Sequence, residues 1–520
     1  MKNKFPDHTK QNYRNYIQVI LLVIYFLFNL VLLIRHEPWR DEANVWLMAR
    51  DLSPLQLIAE LKYQGHPCLW YLFVMPFAKL GFPFLTICVL SFLVMFVTAI
   101  LFVWKSPLHP ITQFFCLMSP IFSYFYPVIA RNYCLAALIM VLLALLYPRH
   151  NEKPVWYGLL LGLLVQTDSI MVASAGLISL MWIWEAAGIS IRTKSKKALL
   201  QTAKGVWIPF VSVLFLGLQF WNVSDSEVFE VQQMGLLEAL GGAGDYFLQI
   251  LNRLTGQGPV FHKGLVLLFV LAAVLLCVRI WNFWPLIVTA GSFFFEALFS
   301  ELIYQLHIWH YIAMCFVLLW FVWVTGSKGQ SSKYSLTQPA EPQDTPAAEG
   351  RDKRKWGFLI SYTVLQIVLI VLSISMFIHW NSEEEPSNLA NALYGTYSGG
   401  KAAAEYIQEH LPSGAVIIST DVARASTVAA YLKDDTFYYA VEMAPRSYAT
   451  WSASEEAKVP LSQVLEQVKA SFPEQRECYI LDSEGSCLIE TEYLQECELL
   501  YKSPEEMARD EHYSLYKISW

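Results

Sequence analysis

Apolar runs as long as a lipid bilayer is thick recur along this chain, and they leave little freedom in what it can fold into. Tyr16 to Ile34, Phe84 to Trp104 and Gly357 to Phe377 contain no charged residue. Each approaches or exceeds the roughly 20 residues a helix needs to cross a hydrocarbon core of about 30 Å. Over 520 residues, 55% are hydrophobic and only 16% are charged, whereas soluble domains carry roughly one-quarter charged residues. A water-soluble core cannot absorb that excess. The first run is too long for a removable signal peptide and lacks a small-residue cleavage site, so it reads as a retained first helix.

Eleven spans are expected, at about 15–34, 83–104, 109–127, 133–148, 154–167, 169–188, 205–222, 262–281, 283–302, 307–325 and 356–379. A further apolar stretch, Cys68 to Leu80, is too short to cross and is bounded by His66-Pro67 and Gly81. Charge decides its placement, because cytoplasmic loops hold the excess of Lys and Arg. If it stays on one side, Lys105, Arg149 with Lys153, the Arg192 to Lys204 loop, Arg279 and the segment before Lys355 all share the side of the basic N-terminus. That side is then cytoplasmic, and the first long loop lies outside.

The net charge of -7 is unevenly spread, with acids concentrated in the C-terminal third. Residues 1–325 are expected to form the membrane module, 326–355 a flexible cytoplasmic linker poor in aliphatic residues, and 356–380 the last span. Residues 396–520 alternate helical and strand patterns: helix at Lys401–Leu411, strand at Ala415–Ser419, helix at Ala423–Leu432 and strand at Cys478–Leu481. They read as a small extracytoplasmic α/β domain. Its three cysteines, Cys478, Cys487 and Cys497, allow at most one disulfide. No metal-ligand spacing stands out among the nine cysteines, and nothing points to nucleic acid.

The first outer loop concentrates polar chemistry. It begins Arg35-His36-Glu37-Pro38-Trp39-Arg40-Asp41-Glu42. Asp41 and Glu42 open a helix running to about Asp51, where acids suit the positive end of the backbone dipole. Ser53-Pro54-Leu55-Gln56 reads as a capping box opening a second helix to about Tyr63. Both are expected to be short amphipathic helices on the membrane surface. Plain capping is the alternative reading of Asp41-Glu42, as a helix start is for His66-Pro67.

The stretch Asp41-Glu42-Ala43, then Gly65-His66-Pro67-Cys68-Leu69-Trp70-Tyr71, then Ala130-Arg131-Asn132-Tyr133 resembles the GT-C-fold glycosyltransferases that use polyprenyl-phosphate sugars. Within them it is similar to the dolichyl-phosphate-mannose-protein mannosyltransferase-like family, whose bacterial members include aminoarabinose transferases. The likeness covers the membrane part, about 380 residues, and extends loosely to the outer tail domain. It implies a polyprenyl-phosphate-sugar donor, a glycan, lipid or protein acceptor, and a catalytic base at Asp41 with Glu42 as supporting acid. The family usually has a second proline where this chain has Cys68, and a Thr-His-Tyr-like segment where this chain has Gln166-Thr167-Asp168-Ser169.

Sugar transfer from a lipid phosphate needs a base for the acceptor hydroxyl and fixed positive charge for the departing phosphate. Asp41 is the candidate base. Arg131, at the outer end of the third and fourth spans, is the candidate phosphate ligand, with Tyr133 beside it; snorkelling to lipid headgroups is the alternative. His66, Asp168 and His310 are further substrate-binding candidates, the last within His307-Ile308-Trp309-His310-Tyr311. An interface belt and helix capping are the plain readings of His310 and Asp168. A divalent metal is left open. The competing function is a transporter or flippase, which would place charges mid-membrane; the spans read as mostly charge-free.

Overall fold

The computed structural model describes residues 8–221, 236–304, 306–334, 346–382, 388–432, 437–452, 459–483, 488–489, 494, 497–504 and 511–520. The middle of the expected linker, 335–345, lies outside these residues, as do the last residue of the 205–222 span and Cys487.

The membrane part is built of α1 (His8–Arg35), α2 (Arg40–Asp51), α3 (Pro54–Glu60), α4 (Leu69–Lys79), α5 (Thr86–Lys105), α6 (Pro110–Met118), α7 (Tyr133–Leu146), α8 (Pro154–Val165), α9 (Met171–Thr193) and α10 (Lys197–Gln219). It continues with α11 (Leu236–Thr255), α12 (Pro259–Ile280), α13 (Trp284–Leu302), α14 (Ile308–Tyr334) and α15 (Pro346–Trp380). Among the described residues, eight helices are long and apolar enough to cross a membrane: α1, α5, α9, α10, α12, α13, α14 and α15. The other three expected spans fall on shorter pieces: α6 continued by a π-helical turn at Ile121–Phe125, then α7, then α8. The chain is a multi-pass membrane protein.

Three elements depart from the sequence reading. α11 was not anticipated. α2 is not a half-exposed surface helix, because every residue from Glu42 to Ala49 is buried. α14 and α15 run past their expected cytoplasmic ends, so the linker is shorter than 326–355. The expected capping box is present: Gln56 N donates to Ser53 Oγ at 3.4 Å and Ser53 N to Gln56 Oε1 at 3.0 Å. Helix α3 then ends in a 3₁₀ turn at Leu61–Tyr63.

Close helix packing depends on small residues where lipid offers no hydrophobic drive between helices. At the α8–α10 crossing, a Cβ on Gly158 would lie 2.1 Å from Gly205 O, and one on Gly205 would lie 2.0 Å from Pro154 O. Gly205→Leu is therefore expected to cost about 3 kcal/mol or more through overpacking. Size-exclusion chromatography should show aggregated protein, while Gly217→Leu, whose Cβ meets nothing within 4 Å, elutes like the parent.

The C-terminal part holds α16 (Leu389–Tyr394), α17 (Gly400–His410), α18 (Val422–Tyr431) and α19 (Leu461–Ser471). Its strands are β1 (Ile417–Ser419), β2 (Phe437–Tyr439), β3 (Ala444–Pro445), β4 (Val459–Pro460), β5 (Glu477–Ser483), β6 (Leu488–Ile489), β7 (Glu498–Lys502) and β8 (Tyr513–Ser519). The main sheet has the order β3-β2-β1-β5-β8-β7, with β1 parallel to β2 and β5, and β8 antiparallel to β5 and β7. Alternation sorts its side chains by face. Ile418, Cys478 and Ile480 pack with Val464 and Val468 of α19. Ile417, Tyr479, Leu481 and Leu515 face the other way, into a core continuous with the membrane bundle. Cys478 and Cys497 are free thiols.

Candidate active site

Chain direction sets which loops meet. Alternating helices bring the turn before α2, the turn before α7, the α8–α9 turn and the start of α14 to the same end of the bundle as the C-terminal domain. The basic expected loops gather at the other end, where Lys328 Nζ meets Glu185 Oε1 at 2.9 Å and Tyr147 Oη donates to the same oxygen at 2.6 Å.

Asp41 and Glu42 occupy the first turn of α2 but point differently. Glu42 is fully buried. Its oxygens accept from Trp39 N at 3.0 Å and Ala130 N at 2.6 Å, and lie 3.0 and 3.2 Å from His36 Nε2. Cys88 Sγ adds a 3.6 Å contact. Donor atoms of His36, Glu42 and Cys88 all lie within 4.8 Å of one another, a spacing compatible with a metal ion. Here backbone N–H groups already occupy the carboxylate, making Glu42 a hub that ties the α1–α2 turn to the backbone next to Arg131.

Asp41 faces a cavity of about 330 Å³. Its Oδ2 accepts from Arg131 Nη1 at 2.7 Å, and Arg40 Nε lies 3.9 Å from its Oδ1. Arg131 also donates from Nη2 to His66 Nε2 at 2.9 Å. Because a guanidinium only donates, that imidazole nitrogen must carry a lone pair, leaving the His66 proton on Nδ1. Nδ1 lies 3.6 Å from Asp168 Oδ2, too far for a hydrogen bond. The rings of Trp309 and Tyr133 lie 5.3 and 5.5 Å from the guanidinium carbon, at cation–π range. Burial opposes the Arg131 charge, and the Asp41 carboxylate more than offsets it.

Asp168 lines the same cavity. Asn132 Nδ2 donates to its Oδ2 at 2.9 Å and Ile170 N to its Oδ1 at 3.1 Å. Burial alone would raise its carboxyl, but His66, His310 and the Ile170 N–H together hold it below the ordinary aspartate range. His310 lines the cavity too, and its Nδ1 accepts from His307 N at 3.0 Å. The neutral ring thus keeps one N–H at Nε2 to offer. Tyr133 is buried behind the wall, stacked on Tyr126 and edge-on to His310.

His66 follows a turn in which Gly65 has φ +71°, a conformation glycine adopts without penalty. Cys68, where the family usually has proline, uses the N–H that proline lacks: Cys68 N donates to Gln219 Oε1 at 3.1 Å. The sequence reading missed Tyr304 and Trp451, which line the cavity together with Trp39 and Trp309. It also missed Glu296, fully buried in α13, whose carboxyl oxygens have no hydrogen-bond partner among the described residues.

The C-terminal domain grips α2 directly. Arg40 N donates to Glu511 Oε1 at 2.7 Å, and Thr427 Oγ1 to the same oxygen at 3.2 Å, while Ser398 Oγ donates to Glu511 Oε2. Burial outweighs these donors and pushes the Glu511 carboxyl up to about 7. Its ordinary value is 4.5. A raised folded-state value means that docking is strongest below pH 4.5 and weakens as pH rises toward 7, by up to about 3 kcal/mol. Hydrogen exchange of β8, corrected for intrinsic rates, should show protection falling between pH 5 and pH 7.5 in the parent and staying level in Glu511→Gln.

No protein-family model and no curated protein matches the sequence. The fold, by contrast, has a whole-length counterpart. ArnT from Cupriavidus metallidurans in the apo state aligns over 98% of both chains with a TM-score of 0.50 at 13% identity. The same protein bound to undecaprenyl phosphate aligns over 96% of this chain and 97% of that one, with a TM-score of 0.49 and 12% identity. The architecture is therefore the GT-C fold of ArnT, carried along nearly the full length of this chain.

Proposed function

We propose that this protein is a membrane glycosyltransferase that moves a sugar from a polyprenyl-phosphate donor to an acceptor hydroxyl on the extracytoplasmic face. One observation carries the reading: Asp41 and Arg131, singled out for opposite charges and distant in sequence, touch at 2.7 Å on the wall of one cavity. Transfer needs that juxtaposition of an acceptor's base with a leaving group's cation.

In this reading the donor phosphate lies against Arg131, which has five N–H donors and uses one on Asp41 and one on His66. The neutral His310 Nε2–H and the Asn132 amide border the same space. The acceptor oxygen attacks the anomeric carbon, the carbon–oxygen bond to phosphate breaks, and polyprenyl phosphate leaves with the electron pair. The acceptor proton passes to the Asp41 carboxylate. Direct displacement inverts the anomeric configuration and needs one base. Glu42 acts by position, holding the Ala130 N–H and hence the Arg131 backbone.

The basic loops at the opposite end of the bundle support a cytoplasmic setting for that end, with the cavity outside. Glu296 is the feature that favours the alternative, a transporter or flippase, since a buried carboxyl within a span marks transport pathways.

A purified preparation reconstituted in sealed lipid vesicles separates the two. Given undecaprenyl phosphate carrying glucose, mannose or aminoarabinose and an extract of envelope glycans, lipids and proteins, the protein should release undecaprenyl phosphate and glycosylate the extract. Movement of the lipid between leaflets without release from any of the three donors would favour transport.

A further inference from the structure

Among the described residues one loop of the C-terminal domain reaches the cavity, and buried amides fix it on α2. Ala449 N donates to Asn44 Oδ1 at 2.8 Å. Ala449 O accepts from Asn44 Nδ2 at 3.2 Å and from Gln64 Nε2 at 2.8 Å. Asn44 Nδ2 also donates to Gln64 Oε1 at 2.9 Å, and Ser447 Oγ donates to Asp51 at the far end of α2. Both amide side chains are buried, as is Ala449. Two amides saturating the backbone N–H and C=O of one residue in this way leave the loop a single register on α2, since slipping it would strand buried donors and acceptors.

Two residues further on, Trp451 joins Asp41, His66 and Arg131 in lining the cavity. Its backbone has φ +58°, a left-handed conformation uncommon for a bulky side chain. Backbone conformations of this kind persist where the surroundings over-determine them, and they cluster at functional sites. Trp39, Tyr71 and Trp309 belong to the membrane part of the wall; among the described lining residues Trp451 alone comes from the C-terminal domain.

We propose that Trp451 is a stacking platform for a pyranose ring, delivered to the site by the C-terminal domain and held there by the Asn44–Ala449–Gln64 clasp. This deepens the glycosyltransferase reading and rests on it. A pyranose presents a face of C–H groups, and an indole offers the flat, polarisable and partly negative surface that such a face packs against. The ring that stacks is either the sugar leaving the donor or a sugar of the acceptor.

The test uses the full-length protein in nanodiscs and three probes: undecaprenyl phosphate, the same lipid carrying glucose or mannose, and maltotriose added to protein saturated with undecaprenyl phosphate. Binding is measured for the parent, Trp451→Phe and Trp451→Ala, each checked for monodisperse elution. Trp451→Ala should weaken one sugar-bearing probe by about tenfold, the loss of one aromatic contact, with Trp451→Phe keeping most of the affinity and undecaprenyl phosphate bound equally by all three. Loss confined to the glycosyl lipid assigns the ring to the donor, and loss confined to maltotriose assigns it to the acceptor. Equal weakening of all three probes, or no change in any, overturns the platform. Failure of the parent to bind any undecaprenyl lipid overturns the glycosyltransferase reading and the platform with it.

Discussion

Asp41→Asn is expected to lower turnover by about 10²- to 10⁴-fold, the contribution of a positioned general base, with little change in donor affinity. Asparagine keeps the shape and can still accept one hydrogen bond from Arg131 Nη1, now 2.7 Å from Asp41 Oδ2. It cannot take the acceptor proton. The same contact suggests a second role, since a carboxylate 2.7 Å from a guanidinium also aims it. If aiming were its whole function, Asp41→Asn would raise the donor KM and leave kcat in place. A double variant with Arg131→Ala would then be no worse than Arg131→Ala alone, a comparison that residues in contact require.

Arg131→Ala carries the second large effect. A buried, charge-assisted contact to a phosphate loses about 2–5 kcal/mol when its cation is removed, which is about 30-fold or more in donor affinity. Asp41 would be left without its partner, so part of that cost is a stranded carboxylate. Arg131→Lys should recover only part of the loss. Lysine is a point charge and cannot serve Asp41, His66 and a phosphate from one planar fork as arginine does. Titrating undecaprenyl phosphate into the three proteins gives the order directly: parent tightest, Arg131→Lys intermediate, Arg131→Ala weakest. Equal affinities would remove Arg131 as the phosphate ligand.

How much of this was legible in the sequence varies with the physics behind each part. The recurring apolar runs and the order of the polar turns between them were legible, and these sufficed to bring residues 41, 66, 131, 168 and 310 to one end of the bundle. Their distances depend on packing and were beyond the sequence, yet one distinction was available. Successive helical residues are turned about 100° from each other, so Asp41 and Glu42 on one helix had to face different surroundings. The structure sends Glu42 into the bundle and Asp41 into the cavity.

Helix α11 shows a signal outweighed by another. Leu240, Ile250, Leu251 and Leu254 keep a helical spacing, but Gly241, Gly242 and Gly244 argue against a helix on propensity. Tertiary contacts prevailed. The burial of α2 is of another kind, because what covers it lies more than 400 residues downstream, through Ala449 and Glu511. No local pattern around Arg40 or Asn44 could announce those partners. Trp451 is the same case, an ordinary tryptophan in sequence whose position is set by a fold-level contact.

Glycosyl transfer at this site requires a phosphate gripped beside the Asp41 carboxylate. An experimental structure of the protein bound to undecaprenyl phosphate tests that most directly. The phosphate should lie within hydrogen-bonding distance, about 3 Å, of the Arg131 guanidinium inside the cavity. A phosphate seated elsewhere on the bundle, with Arg131 still engaged only by Asp41 and His66, would contradict it.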